Sequence, residues 1–166
     1  GGSGSIKVTR FGLESKGQFD GLENFGGTLL QANAIDLGCE EVVPAEANVV
    51  INRITISTFG SGLVEAIAAA DLLENAINPP AGIAGVAHWV PAAEDPPGAP
   101  LRVGRFGWKS QVATVLTFSG DASVNEMGLT NRLFPNENDP NGIRPPDLAA
   151  CDTVPDPEDG PDGQGF

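Results

Sequence analysis

Apolar and polar positions first alternate at residues 6–11, IKVTRF, and this period of two predicts a short strand. Residues 17–38 are punctuated by glycine and hold one short apolar run, GGTLLQANAI. Residues 42–58, VVPAEANVVINRITIST, contain the β-branched core VVINRITIS. Val50, Arg53 and Ile54 do not keep a clean period of two there, so a strand or an extended segment is expected. The clearest helical pattern runs over 61–77, SGLVEAIAAADLLENAI. Leu63, Ala66, Ile67, Ala70, Leu73 and Ile77 share one stripe, with Glu65, Asp71 and Glu74 off it. Ser61 suits an N-cap, and Pro79 and Pro80 stop the helix. A Pro/Gly connection fills 78–103. A second helix is expected over 109–127, where Val112, Val115 and Leu116 make one apolar turn, Gly120 and Asp121 weaken it, and Val124 and Met127 begin another. From 136 onward there is no period.

These elements predict a mainly α fold with extensive irregular loops, two main helices and one or two short strands. The helices at 61–77 and 109–127 should pack their apolar faces together inside a shell of irregular chain.

Composition sharpens the loop expectation. The chain has 166 residues, with 22 Gly, 14 Pro, 6% aromatics and no Tyr, a balance that favours turns over regular structure. The net charge of −13 argues against nucleic acid and anionic membrane surfaces, both of which need clustered cations. No apolar run is long enough for a transmembrane helix. The opening GGSGSIKVTRFG shows no charged-then-apolar leader, and GGSGS reads equally as a linker or a native loop. The two cysteines, Cys39 and Cys151, either pair in an oxidising compartment or stand as separate, partly buried thiols.

Several chemistries lack their residues. There is no dinucleotide or phosphate loop, no H-E-x-x-H and no C-x-x-C. One histidine and two distant cysteines do not make a closed zinc site. His88, in VAHWVP, would be the base of a Ser-His-Asp set, but no G-x-S-x-G supplies a nucleophile. His88 instead reads as a hydrogen-bonded packing residue. The acidic tail DPEDGPDGQGF misses the calcium-loop spacing and reads as a solvated loop. Against this background the stretch GRFGWKSQVATV, residues 104–115, stands out. With Arg102 just upstream, it gathers Arg105 and Lys109 around Phe106 and Trp108 in an otherwise acidic chain.

Three blocks, GSGLVEAI (60–67), GRFGWKSQVATV (104–115) and MGLTNRLFPNEN (127–138), resemble the bacterial di-haem oxidoreductases. These are peroxidase-like proteins distantly related to di-haem cytochrome c peroxidase and also called thiol oxidoreductases. The order is similar to the family's: an R-x-T-x-x-F-G-x-G-L-x-E-A-I fragment, a G-R-F-G-W-K element, then a helix ending in M-G-x-T-N-x-L-F-P. The resemblance covers about a quarter of the chain. Family members attach two haems through C-x-x-C-H, which this sequence lacks. The resemblance therefore implies a partial cytochrome c peroxidase-like domain. Residues 1–135 would be the inter-haem segment and 136–166 an acidic Pro/Gly-rich loop or truncated tail.

The resemblance implies the following roles. Haem c belongs to a longer parent protein, with none covalently attached to this chain. Arg105, Lys109, Phe106 and Trp108 form a cationic, aromatic corner suited to haem propionates and a porphyrin face. Arg53 corresponds to an arginine near the peroxide-binding haem, although Ile56 stands where a proline is often seen. Glu65 is the candidate acid/base, and Met127 the candidate axial thioether and only metal ligand. The partners would be the flanking cytochrome c domains and a small redox protein as electron donor. The implied location is periplasmic or secreted, and the implied function is that of a segment of an exported di-haem oxidoreductase, inactive alone. The alternative is a non-enzymatic, acidic extracellular binding or structural module.

Overall fold

Strand pairing begins where the sequence alternates. In the computed structural model, which describes residues 6–13, 17–31, 34, 39–54, 57–136, 138–142, 150 and 151, strand β1 spans Ile6–Leu13. It pairs antiparallel with β2 (Phe19–Asp20), β3 (Leu29–Leu30) and β4 (Val49–Ile54). The β4 ladder is the longest, from Ile6 opposite Ile54 to Phe11 opposite Val49. The alternating stretch thus forms its strand, and the β-branched core supplies that strand's main partner. Between β2 and β3 a 3-10 turn at Glu23–Phe25 follows Leu22, which holds a left-handed φ of 56°. Leu22 is only 1% exposed, so burial of its side chain offsets that conformation.

The chain divides into two compact units, one of residues 1–55 and 123–166 and the other of residues 56–122. In the first, Cys39 and Cys151 are joined as a disulfide, with Cα atoms 5.6 Å apart. This settles the alternative the sequence left open. Beside it Glu41 is buried and accepts backbone N–H bonds from Gln31 at 2.5 Å and Asn141 at 3.2 Å. The Asn141 side chain completes the clasp by accepting from the Val42 N–H and donating to the Glu40 carbonyl. Of the acidic stretch after 136, residues 143–149 and 152–166 lie outside the described residues.

The second unit holds α1 (Ser61–Ala66), α2 (Ala69–Ile77), a two-stranded sheet of β5 (Trp89–Val90) and β6 (Arg102–Val103), and the first residues of α3 (Val115–Met127). Its buried side chains are small: Val90, Ala92, Val103, Val112, Ala113, Thr114 and Thr117.

Four expectations are corrected here. The fold is not mainly α: among the described residues three α-helices stand beside two antiparallel sheets. Strands two residues long, such as β5 and β6, pair through backbone groups alone, so they leave no side-chain period in the sequence. The helix over 61–77 is two helices, because Ile67 (φ −63°, ψ 130°) and Ala68 (φ −62°, ψ 138°) are extended. The helix expected from 109 starts only at Val115. Nor do the helices bury a shared apolar face. No residue of α1 or α2 is buried, and Leu63 and Ile77 of the predicted stripe are 78% and 73% exposed.

Candidate functional site

The GRFGWK stretch is a tight turn rather than a helix start. The Gly104 N–H donates to the His88 carbonyl at 2.8 Å. The Arg105 and Phe106 N–H groups both reach the Val112 carbonyl, at 2.8 and 2.9 Å, and the Val112 N–H returns to the Phe106 carbonyl at 3.2 Å. Closing the turn needs left-handed backbone at Gly107 (φ 82°) and Ser110 (φ 50°). It also brings the Ser110 carbonyl oxygen within 1.8 Å of where a Cβ on residue 104 would lie, so only glycine fits there. Phe106 is half-buried and packs on Phe118, ring centroids 6.3 Å apart. Trp108 and Lys109 are exposed on the turn.

This turn aims Arg105 at the end of α1. Its Nη1 donates to the carbonyls of Val64 (3.0 Å), Glu65 (3.2 Å) and Ile67 (2.5 Å). A helix end presents carbonyls with no partner and a partial negative charge, and a guanidinium satisfies both. The break at Ile67–Ala68, which nothing in SGLVEAIAAADLLENAI announces, lies where this guanidinium docks. Glu65 does the converse. Its Oε1 accepts the Val115 N–H at 3.0 Å, at the start of α3, where N–H groups lack partners.

Arg105 and Glu65 meet in an open pocket of about 300 Å³, lined also by Ala69, Trp89, Arg102 and Thr114. Arg102 is held by Asp95, through Nε at 2.8 Å and through Nη2, and approaches Glu94 at 4.0 Å. Burial pushes the Glu94 carboxyl up, but hydrogen bonds from Thr117, its own backbone and Thr114, with the Arg102 charge, outweigh that and hold it below the usual glutamate range. The Thr117 hydroxyl donates to Glu94 at 2.5 Å and accepts the Ala93 N–H at 2.9 Å. His88 is hydrogen-bonded through Nδ1 to the Lys109 carbonyl at 3.2 Å, yet its residue is exposed.

The sequence-predicted residues therefore separate. Glu65 and Arg105 share the pocket, and Phe106, Trp108 and Lys109 sit on the adjoining turn. Arg53 lies on β4 and Met127 at the end of α3, both in the first unit. Met127 is 65% exposed. Gly128 (φ 68°) follows it, its N–H bonded to the Val124 carbonyl and the Leu129 N–H to that of Ser123, which is a glycine C-cap. Trp89, Thr114 and the pair Glu94 and Asp95 escaped the sequence reading. The adjacent acids seven residues ahead of Arg102 were the available signal.

Among the described residues no group of three or more His, Cys, Asp or Glu side chains is placed to hold a metal ion. No described helix is long and apolar enough to cross a membrane. A family model described as di-haem oxidoreductase, putative peroxidase, matches residues 43–142. No curated protein and no solved structure matches the chain.

Proposed function

The chain belongs to the di-haem oxidoreductase family, and from that premise we propose that it is the inter-haem segment of an exported, peroxidase-like oxidoreductase. The observation that carries this reading is the disulfide. Thioether attachment of haem needs two thiols in C-x-x-C-H. This chain has only Cys39 and Cys151, and both are consumed by each other. The residues present do not fit covalent haem, so haem c is carried by the flanking cytochrome domains of a longer parent. A disulfide also fits an oxidising compartment, periplasmic or extracellular. The segment comprises residues 1–135, with 136–166 as its acidic tail, and is inactive alone. A small redox protein supplies the parent's electrons.

Within this reading the turn carrying Arg105, Phe106, Trp108 and Lys109 faces carboxylates and an aromatic edge borne by those flanking domains. Arg105 uses only Nη1 on α1, and among the described residues its Nε and Nη2 have no hydrogen-bond acceptor. Two N–H groups on a planar guanidinium suit a carboxylate. Glu65 uses Oε1 on Val115, leaving Oε2 at the pocket as a place to hold a proton. Met127 would supply a thioether ligand to the parent's haem iron, and Arg53 would stand near the peroxide.

The test is expression of this chain in an oxidising compartment with haem-maturation machinery. The chain alone should give no Soret band surviving acid–acetone extraction, whereas the parent should retain one. A retained band on the chain alone would refute the attachment claim. A parent without the band would leave the acidic binding module as the reading. In the parent, Met127→Ala should lower one haem midpoint, because a thioether favours ferrous iron. Unchanged midpoints would retire Met127 as a ligand.

A further inference from the structure

Asn141–Gly142 is the one Asn-Gly pair in the sequence, and the first unit requires both residues. Asn141 holds left-handed backbone (φ 53°, ψ 20°), which asparagine tolerates better than most side chains. Gly142 has φ 75°, and a Cβ there would lie 1.9 Å from the Asn24 carbonyl oxygen, so only glycine fits. The same pair is chemically fragile. With no Cβ to shield it, a glycine nitrogen can reach the side-chain carbonyl of the asparagine before it. In the folded chain the groups that this attack needs are engaged elsewhere. Asn141 Oδ1 accepts the Val42 N–H at 2.9 Å, and Nδ2 donates to the Glu40 carbonyl at 3.1 Å. The Asn141 N–H donates to the buried Glu41 carboxylate. The nucleophile, the Gly142 nitrogen, has its N–H on the Asp139 carbonyl at 2.9 Å. Ring closure also needs that nitrogen nearly eclipsed with Cβ of Asn141, and a ψ of 20° turns it away.

We propose that Asn141–Gly142 is a latent deamidation site, suppressed by the Glu41–Asn141 clasp and controlled by the Cys39–Cys151 disulfide. Cys39 stands just ahead of Glu41 in the chain, and Cys151 follows Gly142, so the bond ties the two sides of the clasp together. An external dithiol, itself oxidised to a disulfide, returns both cysteines to thiols and frees the two sides. In the opened chain the Gly142 nitrogen attacks Asn141 Cγ. A C–N bond forms, the bond from Cγ to Nδ2 breaks, and Nδ2 leaves as ammonia with the proton from the glycine nitrogen. Water then opens the cyclic imide at either carbonyl, leaving an aspartyl or isoaspartyl residue. Neither product rebuilds the clasp. The donor to Glu40 is gone, and a carboxylate oxygen would be set against the Glu40 carbonyl. Loss of the disulfide thus leaves a lasting chemical mark on the chain. This inference rests on the first unit alone and is independent of the haem reading.

The test incubates this chain at mildly alkaline pH, oxidised or with excess dithiothreitol, and follows the peptide containing Asn141 by mass and isoaspartate content. A urea-unfolded, reduced sample sets the unprotected rate. The oxidised chain should deamidate at Asn141 at least about a hundredfold more slowly than that sample, and reduction should raise its rate about tenfold or more, because modification tracks the open population when closing is fast. Cys39→Ser with Cys151→Ser should match the reduced chain without any reductant. Where loss of the disulfide unfolds the first unit outright, Glu41→Gln with the disulfide intact keeps the test. It exchanges one accepting oxygen of the clasp for a donor and should raise the oxidised rate about fivefold or more. Deamidation of the oxidised chain at the unfolded rate would overturn the proposal. So would a rate that reduction leaves unchanged, or a Glu41→Gln variant as slow as the parent sequence.

Discussion

In residues 1–55 and 123–166 the closing contacts join positions about a hundred apart in sequence: Cys39 with Cys151, and Glu41 with Asn141. In residues 56–122 they span far less chain. Gly104 meets His88, Arg105 and Phe106 meet Val112, and the two longest ties are Arg105 to α1 and Glu65 to Val115. The first unit rests on a covalent cross-link and a buried carboxylate clasp. The second rests on one tight turn and two side chains that cap helix ends, around small buried residues, and it leaves its apolar helix stripe in water. The two should therefore fail separately and by different chemistry. Both tryptophans, Trp89 and Trp108, lie in the second unit, so their emission reports that unit alone.

The largest effect should come from Cys39→Ser with Cys151→Ser. Opening a loop of this length removes about 4–5 kcal/mol in the chain-entropy account. In chemical denaturation the far-ultraviolet signal should shift its midpoint downward while the tryptophan transition holds. A joint shift of both signals would break the comparison. Next comes Gly104→Ala, which places a methyl group against the Ser110 carbonyl and should cost about 3 kcal/mol. Here the tryptophan transition should move first. A neutral result would mean that the turn is looser than its hydrogen bonds indicate.

Arg105→Ala should be milder, about 1–2 kcal/mol, since the guanidinium is half-exposed and water can replace part of its bonding. Its sharper readout is local. Without the guanidinium, residues 61–77 should anneal into the single helix that their pattern favours. Carbon chemical shifts of Ile67 and Ala68 should then move to helical values, and extended values would assign the break to another cause. Arg105→Lys should recover only part of the effect, because an ammonium is a point donor and not a planar fork.

The smallest effect concerns acid. Glu94 is held below the usual glutamate range in the folded state, so its contribution is complete above about pH 4.3, the unfolded value, and is lost as pH falls through the lowered one. Thr117→Val removes the hydroxyl that donates to it. The Glu94 carboxyl carbon should then titrate at higher pH, and stability at neutral pH should fall by no more than about 1 kcal/mol. An unmoved titration would show that the threonine contributes little there.

What the sequence made legible follows from the range over which each feature is encoded. The period of two in IKVTRF and the β-branched VVINRI specify β1 and β4 locally, and both form. The stripe through LLENAI gives α2. The family match came from three short blocks that need no structure to read. The break at Ile67–Ala68 was hidden because the guanidinium that docks there, Arg105, arrives from 38 residues downstream of Ile67. The late start of α3 was hidden because a left-handed Ser110 is not a residue type that announces a turn. The mixed fold class was missed because β2, β3, β5 and β6 are each only two residues long. At the site, the cationic turn was readable from composition and Glu65 only from the family resemblance. Trp89 and Thr114 join them only through the folding of the second unit.

The Cys39–Cys151 bond also bears on how such a segment is inherited. The cysteines bracket the whole family-matched stretch, residues 43–142, and their Cα atoms stand 5.6 Å apart. A stretch whose two ends meet can be spliced into a surface loop of a host domain without prying the host apart. Its cross-link travels with it, so the cassette brings its own closure. Recombination that moved the matched stretch but left either cysteine behind would deliver the same motifs with an open base, and selection should favour breakpoints outside the pair.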